Sequence, residues 1–161
     1  QLDGLVAALE QVSRRLPLVW PVHPRTRVRL EGKSGEMGAR VSSDDACTLM
    51  LTEPLGYLEF LQLLEGARLV LTDSGGIQEE TTVLGVPCLT LRTTTERPVT
   101  VAEGTNQLVD PREPRAIAEA VAEVLDAPMP QAVRPELWDG HAAERIVAVI
   151  AQWAAERGGR S

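Results

Sequence analysis

L-T-D-S-G-G-I-Q-E-E occupies residues 71–80, and the reading of its two halves decides the fold. Residues 68–72 form a short run rich in apolar strand formers. From Ile77 the apolar positions fall at helical spacing to Leu84, and Gly85 closes that helix. Between strand and helix lie Gly75 and Gly76. A strand that feeds through a glycine turn into a helix is the repeating unit of a parallel α/β sheet, because the helix carries the chain back so that the next strand runs the same way.

The same alternation extends in both directions. Leu2, Leu5, Val6, Leu9 and Val12 recur at helical spacing, and residues 18–22 read as a strand ahead of Pro24. A helix over 25–32 is followed by a polar, Gly-containing loop and a buried strand at 47–51. Tyr57, Leu58, Leu61, Leu64 and Ala67 keep helical spacing; 87–91 and 106–109 read as strands, and 114–125 as an amphipathic helix. Residues 127–135 hold three prolines and read as an irregular crossing segment, after which Asp139 is placed to cap a last helix carrying Ile146, Val149, Ile150 and Trp153. Short apolar strands without period-2 alternation imply a sheet covered on both faces. The expected fold is therefore one doubly wound, mostly parallel Rossmann-like α/β domain spanning residues 1–161. Such sheets bind ligands beyond the carboxyl ends of their strands, which directs attention to the loops after Val22, Leu51, Asp73 and Leu91.

Composition excludes several function classes. A formal net charge of −7 disfavours nonspecific nucleic-acid binding, which needs clustered Lys and Arg, and five aromatic residues are too few for a single-strand stacking surface. No apolar run approaches the roughly 18 residues that span a bilayer, and Gln1-Leu2-Asp3 lacks the basic stretch of a signal peptide, so a soluble, cytoplasmic protein is expected. A first residue other than Met, opening directly into a helical pattern, is expected of a trimmed chain or a piece of a longer one. Cys47 and Cys88 each lie in an apolar run with no short ligand spacing, so neither disulfide, metal site nor metal cofactor is expected.

The candidate chemistry gathers on residues 71–98. Asp73 or Ser74 can cap the helix, and Gly75 and Gly76 remove side chains so that backbone N–H groups meet a ligand closely. The helix N-terminus adds about half a positive charge, suited to a phosphate or diphosphate. A Gly-Gly turn can equally be a purely structural cap. Glu79 and Glu80 read either as charges that complement the helix dipole or as acceptors for sugar hydroxyls. Arg97, after a threonine run and before Pro98, starts a short helix on the same rim, able to reach a diphosphate or to pair with Glu96. His23 follows the first strand and reads as a proton carrier or as a structural histidine; His141 reads as packing or capping. Phe60 reads as core by periodicity, with a base contact as the alternative.

Taken together, E-P-L-G-Y-L-E-F-L, L-T-D-S-G-G-I-Q-E-E, G-V-P-C-L, R-T-T-T-E-R-P and E-G-T-N-Q-L-V resemble, in order and spacing, the C-terminal half of the non-hydrolysing UDP-GlcNAc 2-epimerases. The likeness runs from the opening helix to D-G-H-A-A-E-R-I. It implies the second half of a GT-B-type enzyme with substrate held between two Rossmann-like halves, and a last helix, about 139–157, that crosses toward the N-terminal half. By position, Ser74, Gly75 and Gly76 would cradle the UDP diphosphate, Glu80 would hold the ribose hydroxyls, Arg97 would contact the nucleotide, and Phe60 would lie by the uracil. Leu55 would also border the uracil; many relatives carry a polar residue there, which leaves backbone groups to do that work. His23 takes the place of a histidine that some relatives use in binding an activating second UDP-GlcNAc.

The implied reaction inverts C2 of UDP-GlcNAc to give UDP-ManNAc by loss and return of UDP. The family's proton-handling carboxylates lie in the N-terminal half, and the H-R-x-E-N segment that precedes the opening helix in relatives is absent, so no general base is assigned here. No cofactor is implied. The partners implied are UDP-GlcNAc or UDP, the N-terminal half of the same enzyme and a second copy in a homodimer, with no nucleic acid and no membrane, and the setting is cell-surface polysaccharide biosynthesis. Three other readings compete. A hydrolysing epimerase carries a serine-containing phosphate turn with a G-V-R-E continuation, unlike the G-G-I-Q-E-E here; a GT-B glycosyltransferase would need an acceptor; a stand-alone nucleotide-binding module would lack the roughly 200 upstream residues of a first half.

Overall fold

The computed structural model describes residues 2–31 and 49–158. Its elements follow in the order α1 (Leu2–Ser13), β1 (Leu18–Pro21), α2 (Pro24–Glu31), β2 (Leu49–Thr52), α3 (Tyr57–Glu65), β3 (Val70–Thr72), α4 (Gly75–Leu84), β4 (Cys88–Thr90), α5 (Pro98–Ala102), β5 (Asn106–Leu108), α6 (Pro114–Asp126) and α7 (Ala142–Gly158). The expected alternation is thus present, with boundaries shifted by one to three residues. Gly32, Cys47 and the loop expected between them lie outside the described residues. Two shifts have physical causes. α4 begins at Gly75 rather than Ile77, so both glycines belong to its first turn. α7 begins at Ala142, so Asp139 is not its cap; instead its Oδ1 accepts the His141 N–H at 3.0 Å and its carboxylate holds Arg145 at 2.7 Å. Gly140, at φ 85°, makes that turn.

Among the described residues all pairing is parallel, and it is divided into two ladders, β1-β2 and β3-β4-β5. One apolar cluster serves both: Ala8 and Val12 of α1 and Ile117, Ala120 and Val121 of α6 enclose Leu89 and Val109, with Leu18 of β1 and Leu71 of β3 packed against them. Alternation along the strands sends Leu71 and Leu89 to this face. Thr72, Cys88, Thr90 and Asn106 point to the other, where α4 lies.

That second face is polar yet buried. Gln78, Thr81, Thr82, Thr90 and Thr100 are fully buried, and Asn106 is nearly so. Thr81 and Thr82 return their hydroxyls to carbonyls one turn back along α4, and burial pushes the Cys88 thiol up, partly offset by hydrogen bonds with Thr81 and Thr90. Each buried polar group here has a partner because leaving one unpaired costs about 1–3 kcal/mol. Cys88 is a free thiol. Among the described residues no helix is long and apolar enough to cross a membrane, and no group of side chains is arranged to hold a metal ion.

Tight packing under this face depends on Gly104, where a Cβ would lie 2.5 Å from both the Thr100 carbonyl oxygen and Thr82 Oγ1. Gly104→Ala is expected to destabilise the chain by about 1–3 kcal/mol, the usual cost of overpacking, read as a lowered midpoint in chemical denaturation; an unchanged midpoint would mean that the loop relaxes freely.

Candidate functional site

β3 ends at Thr72 and delivers the chain to Asp73 and Ser74 at the carboxyl edge of the three-stranded ladder. Ser74 is the N-cap of α4, in extended conformation, and its N–H donates to Thr72 Oγ1 at 3.1 Å. Its hydroxyl makes no capping bond. The first N–H groups of α4 therefore face outward without the side-chain acceptor that an N-cap commonly provides, which is the arrangement that receives an anion. Neither Gly75 nor Gly76 has a positive φ, so backbone strain does not demand glycine here. Space explains the choice better: a Cβ on Gly75 would meet nothing within 4 Å, leaving its open side to a ligand.

Arg97 caps the start of α5, with Pro98 as the first helical residue. Its guanidinium comes back to α4, where Nε lies 2.8 Å from Glu79 Oε1, both side chains being 41% exposed. The approach is an ion pair without hydrogen-bond direction, so the Nε–H keeps no acceptor of its own. Nη1 donates to the Glu96 carbonyl at 3.3 Å rather than pairing with the Glu96 carboxylate. A cation one turn along the helix from an uncapped, positive N-terminus gives a local anion site in a chain whose net charge is negative.

Glu80, the next residue of α4, is half-buried beside an open groove. There it lines an open cavity of about 480 Å³ with Glu79, Val83 and Leu84 of α4, Tyr57 and Leu61 of α3, and Trp138. α3 enters this wall from Gly56, whose N–H donates to Glu59 Oε2 at 3.0 Å. Phe60 is half-buried on α3 and is not among the residues lining the cavity, while Leu55 is exposed in the loop ahead of that helix. His23 belongs to the other ladder. Its carbonyl accepts from Thr26 and Arg27 and its Nδ1 from the Arg25 N–H, so it caps α2 with the ring exposed.

The structure thus brings together Ser74, Gly75, Gly76 and Arg97, sets Glu80 on the adjoining groove, and leaves His23 apart. Sequence reasoning passed over Tyr57 and Trp138: Tyr57 and Leu61 stand at i and i+4, a signal for one helix face, but Trp138 lies in an aperiodic segment with no such signal. Two other charged pairs are engaged with each other. Four hydrogen bonds from Arg112 hold the Asp110 carboxyl down to about 2, and His141 Nδ1 lies 2.9 Å from Glu144.

A glycine turn, an uncapped helix start and an arginine meet at the carboxyl ends of parallel strands, the edge at which parallel α/β domains commonly receive ligands. Residues 1–151 match the family model described as UDP-N-acetylglucosamine 2-epimerase, and the chain belongs to that family. It is 41% identical over 149 residues to a UDP-N-acetylglucosamine 2-epimerase of Methanocaldococcus jannaschii, covering 92% of this chain and 38% of the relative. Among solved structures, the Neisseria meningitidis UDP-GlcNAc 2-epimerase bound to UDP-GlcNAc superposes with a TM-score of 0.77 at 31% identity, over 94% of this chain and 40% of that one. The Methanocaldococcus jannaschii enzyme in complex with UDP-GlcNAc and UDP gives 0.72 at 36% identity, over 94% and 39%. The chain spans about two fifths of the length of these relatives.

Glu79 competes with any bound anion for Arg97. Glu79→Gln is expected to tighten inorganic pyrophosphate binding about threefold at low salt, the scale of one exposed ion pair, with the gain shrinking at high salt. Calorimetry at two salt concentrations reads this, and weaker binding in the variant would show instead that Glu79 holds Arg97 in its working position.

Proposed function

We propose that this chain is the UDP-binding half of an enzyme that interconverts UDP-GlcNAc and UDP-ManNAc at C2 by elimination and re-addition of UDP. The observation that carries the proposal is the uncapped start of α4, with an open side at Gly75 and Arg97 one turn away. Ser74, Gly75 and Gly76 cradle the diphosphate with their backbone N–H groups, and Arg97 leaves Glu79 to meet the phosphate oxygens. Glu80 accepts the two ribose hydroxyls on the cavity side, where Tyr57 and Trp138 add apolar walls. Leu55 and Phe60, on the loop and helix beside that wall, border the uracil. His23 is reserved for a second, activating UDP-GlcNAc.

As the C1–O bond breaks, charge gathers on the departing diphosphate. Fixed N–H dipoles and a guanidinium aimed at it stabilise the transition state more than the ground state. Proton removal at C2 and its return on the opposite face need positioned acid and base groups. Arg97 stays charged and Glu80 is committed to the ribose, so those groups come from the N-terminal half. α7 fits that division. Ile146, Val149, Ile150 and Trp153 form a stripe at helical spacing, each more than half exposed, suited to pack against a second half. The full-length enzyme would be a cytoplasmic homodimer that supplies cell-surface polysaccharide synthesis and needs no cofactor.

The chain is expected to bind UDP more tightly than UMP, and Gly75→Val to abolish the difference while leaving the thermal midpoint within a few degrees, since the new side chain enters open space. Calorimetry beside thermal melting tests both; equal affinities for UDP and UMP in the unaltered chain would remove the diphosphate cradle. Incubated alone with UDP-GlcNAc in deuterium oxide, the chain is expected to form no UDP-ManNAc and to place no deuterium at C2. Label at C2 would move the search for a base to Glu79, Glu96 and His23.

A further inference from the structure

Beneath the site, five residues close a ring of hydrogen bonds around one peptide. The Arg97 N–H donates to Thr95 Oγ1 at 3.0 Å, and Thr95 Oγ1 donates to Gln78 Oε1 at 2.6 Å. Asn106 Nδ2 donates both to Gln78 Oε1 at 3.2 Å and to Thr100 Oγ1 at 3.1 Å. Thr100 Oγ1 returns to the Arg97 carbonyl at 2.7 Å. Both polar groups of the Arg97 peptide are therefore held, in a conformation of φ −123° and ψ 58° that belongs to neither helix nor strand. Gln78 reaches the opposite way as well, since its Nε2 donates to the Ser74 carbonyl at 3.3 Å, at the threshold of the glycine turn. Asn106 is fixed in turn by Thr90 Oγ1, which donates to its Oδ1 at 2.6 Å.

We infer that Gln78, Thr95 and Asn106 are positioning residues: the buried ring locks Arg97 to the start of α4, so that a diphosphate meets the guanidinium and the helix N–H groups in one fixed geometry. The inference rests on the UDP-binding role proposed above. Three features separate it from ordinary core packing. The opposite face of the same strands is filled by Leu71, Leu89 and Val109, so a polar layer is not what this sheet needs in order to fold. Gln78 is fully buried, and its one side chain joins the two segments that carry the anion site. Every bond in the ring leads to the backbone of Arg97 or Ser74 within three steps. Preorganised donors of this kind are effective because they need no rearrangement when charge develops.

The test uses the 161-residue chain with Thr95→Val, which keeps the shape and removes the hydroxyl, and Thr95→Ser, which keeps the hydroxyl. Affinities for UDP and for uridine are measured by NMR titration, alone and combined with Arg97→Ala. Thr95→Val is expected to weaken UDP binding about tenfold, as for one hydrogen bond to a site group, while leaving uridine affinity unchanged. Thr95→Ser restores UDP binding, and in the Arg97→Ala background Thr95→Val adds nothing. Equal losses for UDP and uridine, or a full further loss on top of Arg97→Ala, would reduce the ring to a folding element and overturn the inference. An unaltered chain that binds UDP no better than uridine overturns the UDP-binding role itself, a failure visible before any variant is made.

Discussion

The Gln78 side chain is the constraint on which the rest of the site depends. It has one amide, no exposure, and bonds to the Ser74 carbonyl, the Thr95 hydroxyl and the Asn106 amide. Those partners come from the turn before α4, the loop after β4 and strand β5, which are separated in sequence and meet only when the three-stranded ladder forms. A buried amide short of partners would cost as much as several good contacts supply, so the folded state admits this arrangement and few others. Rigidity at the anion site follows from satisfying one residue.

The two faces of the ladder divide the work. The α1 and α6 face is apolar and interchangeable in kind, contributing through area: burying each Val, Leu or Ile is worth roughly 1.5–3 kcal/mol. The α4 face contributes little net energy, because its hydrogen bonds replace bonds to water. What it contributes is direction. Hydroxyls and amides have angular preferences that methyl groups lack, and they hold Arg97 and the glycine turn at a defined separation. The apolar face keeps the sheet together, and the polar face aims it.

Burial is less complete elsewhere. The apolar residues of α7 stand in solvent, with Arg157 over the Trp153 ring at 4.5 Å as the main cover. Among the described residues the strand hydrogen bonding is split between β1-β2 and β3-β4-β5, with side chains packed on α1 and α6 bridging the two. Both features accord with a chain that spans about two fifths of the relatives it matches, and both contrast with the closely satisfied interior around Gln78.

Sequence alone determined the order of elements, the parallel α/β class and the stretch that carries the candidate site, because these rest on local properties: apolar spacing, glycine turns and proline placement. It also points to Ser74, Gly75, Gly76 and Arg97 as candidates, since a helix start and a flanking arginine can be read within a few residues of chain. What only the tertiary structure decided was non-local. Nothing in G-G-I-Q-E-E tells that Gln78 turns inward while Glu79 and Glu80 both line the groove with Tyr57 and Trp138, and that Glu79 alone pairs with Arg97. Nor do the threonines of 93–95 show which hydroxyl faces the core; the structure selects Thr95. The division of the strands into two ladders was equally illegible, since each strand by itself reads as buried and parallel. In each case the deciding partner lies on another element, and local chain chemistry carries no record of a neighbour that only packing brings near.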